Sequence, residues 1–180
     1  MPPMEGAPGK RRIDRILRPG FVEGLSQLSL EELRARRAEC LAEREYLSLL
    51  RRLVQGRAEI LADELRARQG GEERGPLIER LASVLAADEP RGPSRGEAVR
   101  VTVPEPEILL ARRRVERLVA DAGLSDPSTL DDAELERAVE LLEREEREVS
   151  EQRARVLAVL DRLQEELKRR YKEDLSQVLS

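Results

Sequence analysis

The sequence predicts an all-α protein: two long helices in an antiparallel coiled-coil hairpin, with short accessory helices between them. Three observations predict it. Aromatic residues are 2% of the 180, with no Trp and no His, which argues against a sheet core built from β-branched and aromatic side chains. Charged residues are 39%, in a background rich in the helix formers Ala, Glu, Leu and Arg. Finally, Leu135, Val139, Leu142, Val149, Val156, Leu160, Leu163 and Leu167 recur in steps of three and four, with a seven-residue step on each side of Val149, a coiled-coil repeat.

Taken in order, residues 1–28 read as a mobile N-terminal segment and residues 29–175 as one helical domain. Residues 1–12 carry Pro, Gly and basic side chains, a composition expected to be disordered. A short helix over Arg12–Leu17 should stop at Pro19-Gly20, and Phe21, Val22 and Leu25 form an apolar cluster able to dock on the main body. Ser29 is a good N-cap, with Glu31 and Glu32 in the first turn to complement the helix dipole. The first long helix runs over 30–69 to Gly70-Gly71, about 60 Å at 1.5 Å per residue. Cys40, Leu47, Val54, Leu61 and Leu65 make its core stripe, while Leu49, Leu53 and Ile60 lie on nearly the opposite face. A helix with two apolar faces has a second partner, inside the molecule or outside it. Gly56, at a cost of about 1 kcal/mol against Ala, would let a neighbour approach the backbone.

A short amphipathic helix is expected over 76–87, on Leu77, Ile78, Leu81 and Leu85. Residues 88–104 read as a linker, in which Val99, Val101 and Val103 could make a brief extended piece. A helix over 105–122 closes at Gly123, and Asp126-Pro127-Ser128 makes a turn. Thr129 or Asp131 caps the last helix, over 132–172, again about 60 Å long.

The charge balance narrows the function classes. With 33 basic and 37 acidic residues, no broad nucleic-acid footprint and no direct DNA binding is expected, although a local Arg site for a phosphorylated ligand is compatible. Cys40 is alone, so no disulfide framework forms within the chain and the cytoplasm is the expected compartment. One Cys without His makes a zinc site improbable. No apolar run reaches the roughly 20 residues of a membrane span, and Lys10, Arg11 and Arg12 are not followed by the apolar region of a signal peptide.

The pattern that needs explaining lies on the last helix. Glu146, Ser150, Arg153 and Asp161 fall within an arc of about 80° of one helix face, beside the apolar stripe. The pattern recurs 102 positions earlier: Ser48, Arg51, Val54, Glu59, Leu61, Asp63, Glu64 and Leu65 stand where the second copy has Ser150, Arg153, Val156, Asp161, Leu163, Glu165, Glu166 and Leu167. This reads as an internal duplication of one long helix. The copies differ at Arg44 against Glu146 and at Gln55 against Leu157.

Two readings compete. Glu146 and Arg153 fall at seam positions and can set coiled-coil register, as buried polar residues do. A register device has no need of Ser and Arg at matching positions in both helices, however, so the duplication favours a ligand with two-fold symmetry. The Arg fork matches guanine O6 and N7, Asp or Glu accepts from the guanine N1–H and amino group, and Ser and Gln can bond phosphates or base edges. A cyclic dinucleotide of guanine carries two bases and two phosphates related by a two-fold axis. In an antiparallel pair the two polar faces would line one groove.

The face Ser48-x2-Arg51-x3-Gln55-x3-Glu59, with Glu146-x3-Ser150-x2-Arg153-x3-Leu157-x3-Asp161, resembles the E-x3-S-x2-R-x3-Q-x3-D repeat of the RsiG family, actinobacterial anti-sigma factors armed by cyclic di-GMP. The surroundings SLLRRLVQGRAEIL and the terminal RRYKE are also similar, and the likeness covers mainly residues 30–70 and 130–174. The resemblance implies a monomeric twin-motif protein whose coiled coil holds a pair of intercalated cyclic di-GMP molecules and then sequesters a sporulation sigma factor of the WhiG class. The ligand-binding residues it implies are Ser48, Arg51, Gln55, Glu59, Glu146, Ser150, Arg153 and Asp161. The sequence departs from the family at Arg44, where Glu is expected, at Glu59, where Asp is expected, and at Leu157, where Gln is expected. Glu59 keeps the acceptor, Leu157 cannot bond a base or phosphate, and Arg44 can still meet a phosphate. Leu49, Leu53 and Ile60 are candidate sigma-factor contacts, with packing of the middle helices against the hairpin as the alternative. A ligand-free coiled-coil adaptor is the competing function. An enzyme is not expected, because there is no His, no nucleophile beside a base and no Gly-rich phosphate loop.

Overall fold

The computed structural model describes residues 11–70, 103–121 and 127–178. The helix expected over 76–87, residues 88–102 of the linker, Gly123 and the start of the Asp126 turn lie outside these residues. The described elements are α1 (Arg12–Ile16), two 3-10 turns at Pro19–Phe21 and Leu25–Gln27, α2 (Leu30–Gly70), α3 (Glu105–Asp121), a 3-10 turn at Pro127–Thr129 and α4 (Asp132–Val178). There is no strand among the described residues, so the all-α expectation holds.

Both long helices begin in the same way. Ser29 Oγ accepts the Glu32 N–H at 3.1 Å, and Glu32 Oε2 accepts the Ser29 N–H at 2.7 Å. On α4, Asp131 Oδ1 accepts the Glu134 N–H at 2.7 Å, and Glu134 Oε2 accepts the Asp131 N–H at 2.8 Å. These are reciprocal capping boxes, each satisfying two orphan backbone donors, and removing such a cap costs about 1 kcal/mol. Asp131 rather than Thr129 is therefore the cap, since Thr129 is taken up in the 3-10 turn. The register of the duplication carries Ser29 onto Asp131 and Glu32 onto Glu134, so the repeat extends back to the helix starts.

The buried stripe follows the same register. Leu33, Cys40, Leu47, Val54 and Leu61 recur every seventh residue on α2, as do Leu135, Leu142, Val149, Val156 and Leu163 on α4, and none is more than 1% exposed. A sustained seven-residue repeat of buried side chains is what a coiled-coil seam requires. Leu50, fully buried, joins the α2 stripe three residues after Leu47, while Leu65 is only half-buried. The α4 helix runs on to Val178, past the expected end near residue 172. No Gly or Pro interrupts it there, and the pairs Lys168–Glu165, Arg169–Glu166 and Arg169–Glu173 link successive turns, as i,i+3 and i,i+4 ion pairs do.

The described residues fall into two compact units, one within Met1–Ser48 and Val149–Ser180 and the other within Leu49–Glu148. In the first, α2 and α4 run antiparallel: Arg34 bonds the Tyr171 hydroxyl at 2.8 and 3.0 Å, and Arg153 bonds Ser48. The N-terminal segment docks on this pair. Ile16 is fully buried and Phe21 and Val22 are buried. Arg36 Nη1 donates to the Phe21 carbonyl at 2.5 Å with its guanidinium 5.2 Å from the ring centroid, and Arg170 Nη2 donates to the Leu25 carbonyl at 2.8 Å. Arg12 Nε meets Glu43 Oε2 at 2.5 Å, and Glu43 is the buried charged residue of the described core, at 4% exposure. Gly24 turns the segment at a φ of 61°, a left-handed conformation that glycine adopts without steric cost. Burial pushes the Cys40 thiol up to about 12, with the carboxylates of Glu39 and Glu43 adding to the shift, so this cysteine is held as an unreactive thiol.

The α4 ladder gives the first unit an acid-sensitive element. Hydrogen bonds from Arg169 and then Arg170 outweigh burial and lower the Glu166 carboxyl from 4.5 to about 2. A depressed folded-state value contributes stability that is complete above the unfolded value of 4.5 and is lost as pH falls toward 2. Glu166→Gln should therefore remove part of the loss of stability between pH 5 and pH 2.5, as measured by urea midpoints at the two pH values. An unchanged difference in the variant would show that Glu166 is not the group responsible.

In the second unit, α2 and α4 again run antiparallel: Arg51 and Gln55 approach Glu146, and Arg68 approaches Asp132. Arg68 ties the end of α2 to the turn before α4, donating to the carbonyls of Leu130 at 2.6 Å and Pro127 at 2.9 Å while pairing with Glu64 at 3.0 Å. On α3, Ala111 and Val119 are buried and Arg114 pairs with Glu145 at 2.7 Å. A Cβ built at Gly56 meets nothing within 4 Å, so the close backbone approach expected there is not seen among the described residues.

Candidate functional site

Each motif lies on an unbroken helix, α2 or α4, so the spacing read from the sequence places its polar side chains on one face. In the first unit, Arg153 Nε donates to Ser48 Oγ at 2.9 Å, and Ser48 Oγ donates in turn to the Arg44 carbonyl at 2.8 Å. Ser48, Ser150, Arg153 and Leu157 are half-buried and Asp161 is exposed. Arg153 has no carboxylate within ion-pair distance among the described residues, whereas Arg44 pairs with its neighbour Glu45 at 2.7 Å. The departure of Arg44 from Glu146 thus has a geometric consequence. The position that supplies an acid in one copy supplies a second guanidinium in the other, and Arg153 is bonded by a hydroxyl instead.

In the second unit, Glu146 Oε1 receives both Arg51 Nη1 at 3.5 Å and Gln55 Nε2 at 3.4 Å. Both contacts are long, and bonds of this length are weak. The Arg51 side chain is 40% exposed and that of Glu146 is 22% exposed. The Arg51 guanidinium thus has no strong bond to break among its described contacts before it meets a ligand. Glu59 is exposed. The structure thus brings Arg51, Gln55 and Glu146 together in one unit and Ser48 with Arg153 in the other, and leaves Glu59 and Asp161 open to solvent.

Of the residues considered as partner contacts, Leu49 and Leu53 are half-buried and Ile60 is 37% exposed. Sequence reasoning passed over two more exposed leucines of the same unit, Leu109 and Leu110 on α3, which are 45% and 56% exposed. The signal was present: neighbours in a helix point about 100° apart, so a leucine pair next to a buried Ala111 extends beyond any narrow core stripe.

No helix among the described residues is long and apolar enough to cross a membrane, and they contain no cluster of acids and Cys suited to hold a metal. Residues 19–85 match a family model described as RsiG-like. No curated protein matches the chain. The match covers the docked 3-10 turns, all of α2 and its motif Ser48–Arg51–Gln55–Glu59, whereas the second motif, on α4, lies outside it. The RsiG-like family is one of anti-sigma regulators, not of enzymes, which points to an anti-sigma role with a sigma factor as partner. Over residues 19–85, from the docked 3-10 turns through α2, the chain is thus similar to the RsiG type.

Proposed function

We propose that the chain is an anti-sigma factor that binds cyclic di-GMP through its duplicated helix motifs and, when loaded, sequesters a WhiG-type sporulation sigma factor. The observation that carries this reading is the duplication itself: Ser48 and Arg51 repeat as Ser150 and Arg153, half-buried beside two seams that share caps and heptad register. Arg51 and Arg153 read guanine by the bidentate fork. Glu59, Asp161 and Glu146 accept from the guanine N1–H and amino group, and Ser48, Ser150 and Gln55 bond phosphate or base edges. Arg44 adds positive charge for a phosphate, and Leu157 offers packing where a hydrogen bond is absent. Two motifs in one chain suit a pair of nucleotides on a monomer. The gating is linkage: nucleotide favours the form that the sigma factor recognises, so each raises the affinity for the other.

A second reading, a ligand-free coiled-coil adaptor, draws support from the Arg51–Glu146 and Arg153–Ser48 bonds, which can act as a polar register device. Calorimetric titration with cyclic di-GMP decides between the two. Saturable binding near two molecules per chain, followed by nucleotide-dependent capture of a WhiG-class sigma factor, is the expected result. No binding, with the sigma factor absent or present, would leave the adaptor.

A further inference from the structure

The α3 helix has two unlike faces. Ala111 and Val119 are buried and Arg114 holds Glu145, which defines the docked side. Leu109, Leu110, Arg113 and Arg117 are exposed and lie on the other. At about 100° per residue, Leu109, Arg113, Arg117 and Leu110 follow one another across an arc of about 100°, so two arginines stand between two leucines with no acid in the sector. Neither Arg113 nor Arg117 has an ion-pair or hydrogen-bond partner among the described residues, in a chain of net charge −4.

We propose that this face of α3 is a docking surface for an acidic amphipathic helix of the sigma factor, which would seat its apolar side on Leu109 and Leu110 and its carboxylates on Arg113 and Arg117. The proposal rests on the anti-sigma reading given above. Charge complementarity selects the occupant: an apolar partner alone would leave two desolvated guanidinium groups unpaired, whereas a carboxylate accepts each as a charge-assisted fork. An amphipathic helix docks by laying its apolar face on apolar anchors, here Leu109 and Leu110. Sigma-factor binding then uses residues outside both nucleotide motifs.

The test compares the unaltered full chain with Leu109→Asp/Leu110→Asp and with Arg113→Glu/Arg117→Glu, each checked for unchanged helicity. The probe is a purified WhiG-class sigma factor with saturating cyclic di-GMP. Both variants should bind the sigma factor at least tenfold more weakly. Their nucleotide titration should be unchanged, and in the arginine variant the salt dependence of sigma binding should flatten. Sigma affinity within twofold of the unaltered chain in both variants overturns the proposal. So does a dimer of the unaltered chain that the leucine variant dissolves, which would assign the face to a second copy. If the unaltered chain binds nucleotide but no sigma factor, or neither, the anti-sigma reading fails and takes this surface with it. Loss confined to the variants separates the two outcomes.

Discussion

Replacing Arg51 and Arg153 together with Ala should abolish measurable cyclic di-GMP binding while leaving the protein helical. Each guanidinium would give a nucleotide charge-assisted bonds worth about 1.5–3 kcal/mol, and tenfold in affinity corresponds to about 1.4 kcal/mol, so the pair accounts for a loss of roughly a hundredfold or more. The fold should tolerate the change. The Arg51 contact to Glu146 is 3.5 Å long on a side chain 40% exposed, and Arg153 bonds only a hydroxyl, so neither substitution strands a deeply buried charge. Calorimetry measures the affinity and circular dichroism the helix content. Undiminished binding in the double variant would place the nucleotide elsewhere. Because the two units offer unlike surroundings, with an acid facing Arg51 and a hydroxyl facing Arg153, the single variants should differ from each other.

The second large effect concerns stability. Glu43 is 4% exposed, and its carboxylate meets Arg12 Nε at 2.5 Å. Removing one partner of a buried ion pair leaves an uncompensated charge and costs about 3–5 kcal/mol. The Arg12 side chain is 25% exposed, so water partly reaches the site and the lower end, about 3 kcal/mol, is expected for Arg12→Ala. Urea unfolding followed by helical circular dichroism measures it. The companion Arg12→Ala/Glu43→Leu removes both charges and should recover most of the loss, because replacing a buried pair by apolar packing is close to neutral. A shift below about 0.5 kcal/mol in Arg12→Ala would mean that the pair is no stronger than an exposed one. The variant should also speed thiol labelling of Cys40, which is fully buried in the same unit.

How much of this was legible beforehand follows from the range of each interaction. The caps were readable because a capping box is local: Ser29 and Glu32 are three residues apart and act on their own backbone. The seam was readable because heptad spacing is a property of one helix, and Cys40, Leu47, Val54, Leu142, Val149 and Val156 are all buried as read. Leu50, fully buried, was not among the stripe residues read from the sequence, because the adjacent leucines Leu49 and Leu50 give two possible stripes and only the neighbouring helix chooses between them. The docked N-terminal segment was half legible. Its apolar cluster could be read, but the Arg12–Glu43 contact spans 31 positions, and nothing local links those two residues.

By itself the sequence determined the helical class, the starts of both long helices, the duplication and the set of motif residues, because each depends on propensity or on spacing along one chain segment. Tertiary structure decided what each polar group faces. It set Glu146 opposite Arg51 and Gln55, left Arg153 to Ser48, and exposed Leu109 and Leu110 beside arginines that have no ion-pair partner among the described residues. These outcomes depend on which side chains from distant parts of the chain come within about 3 Å of one another, a distance that periodicity along a single helix does not encode.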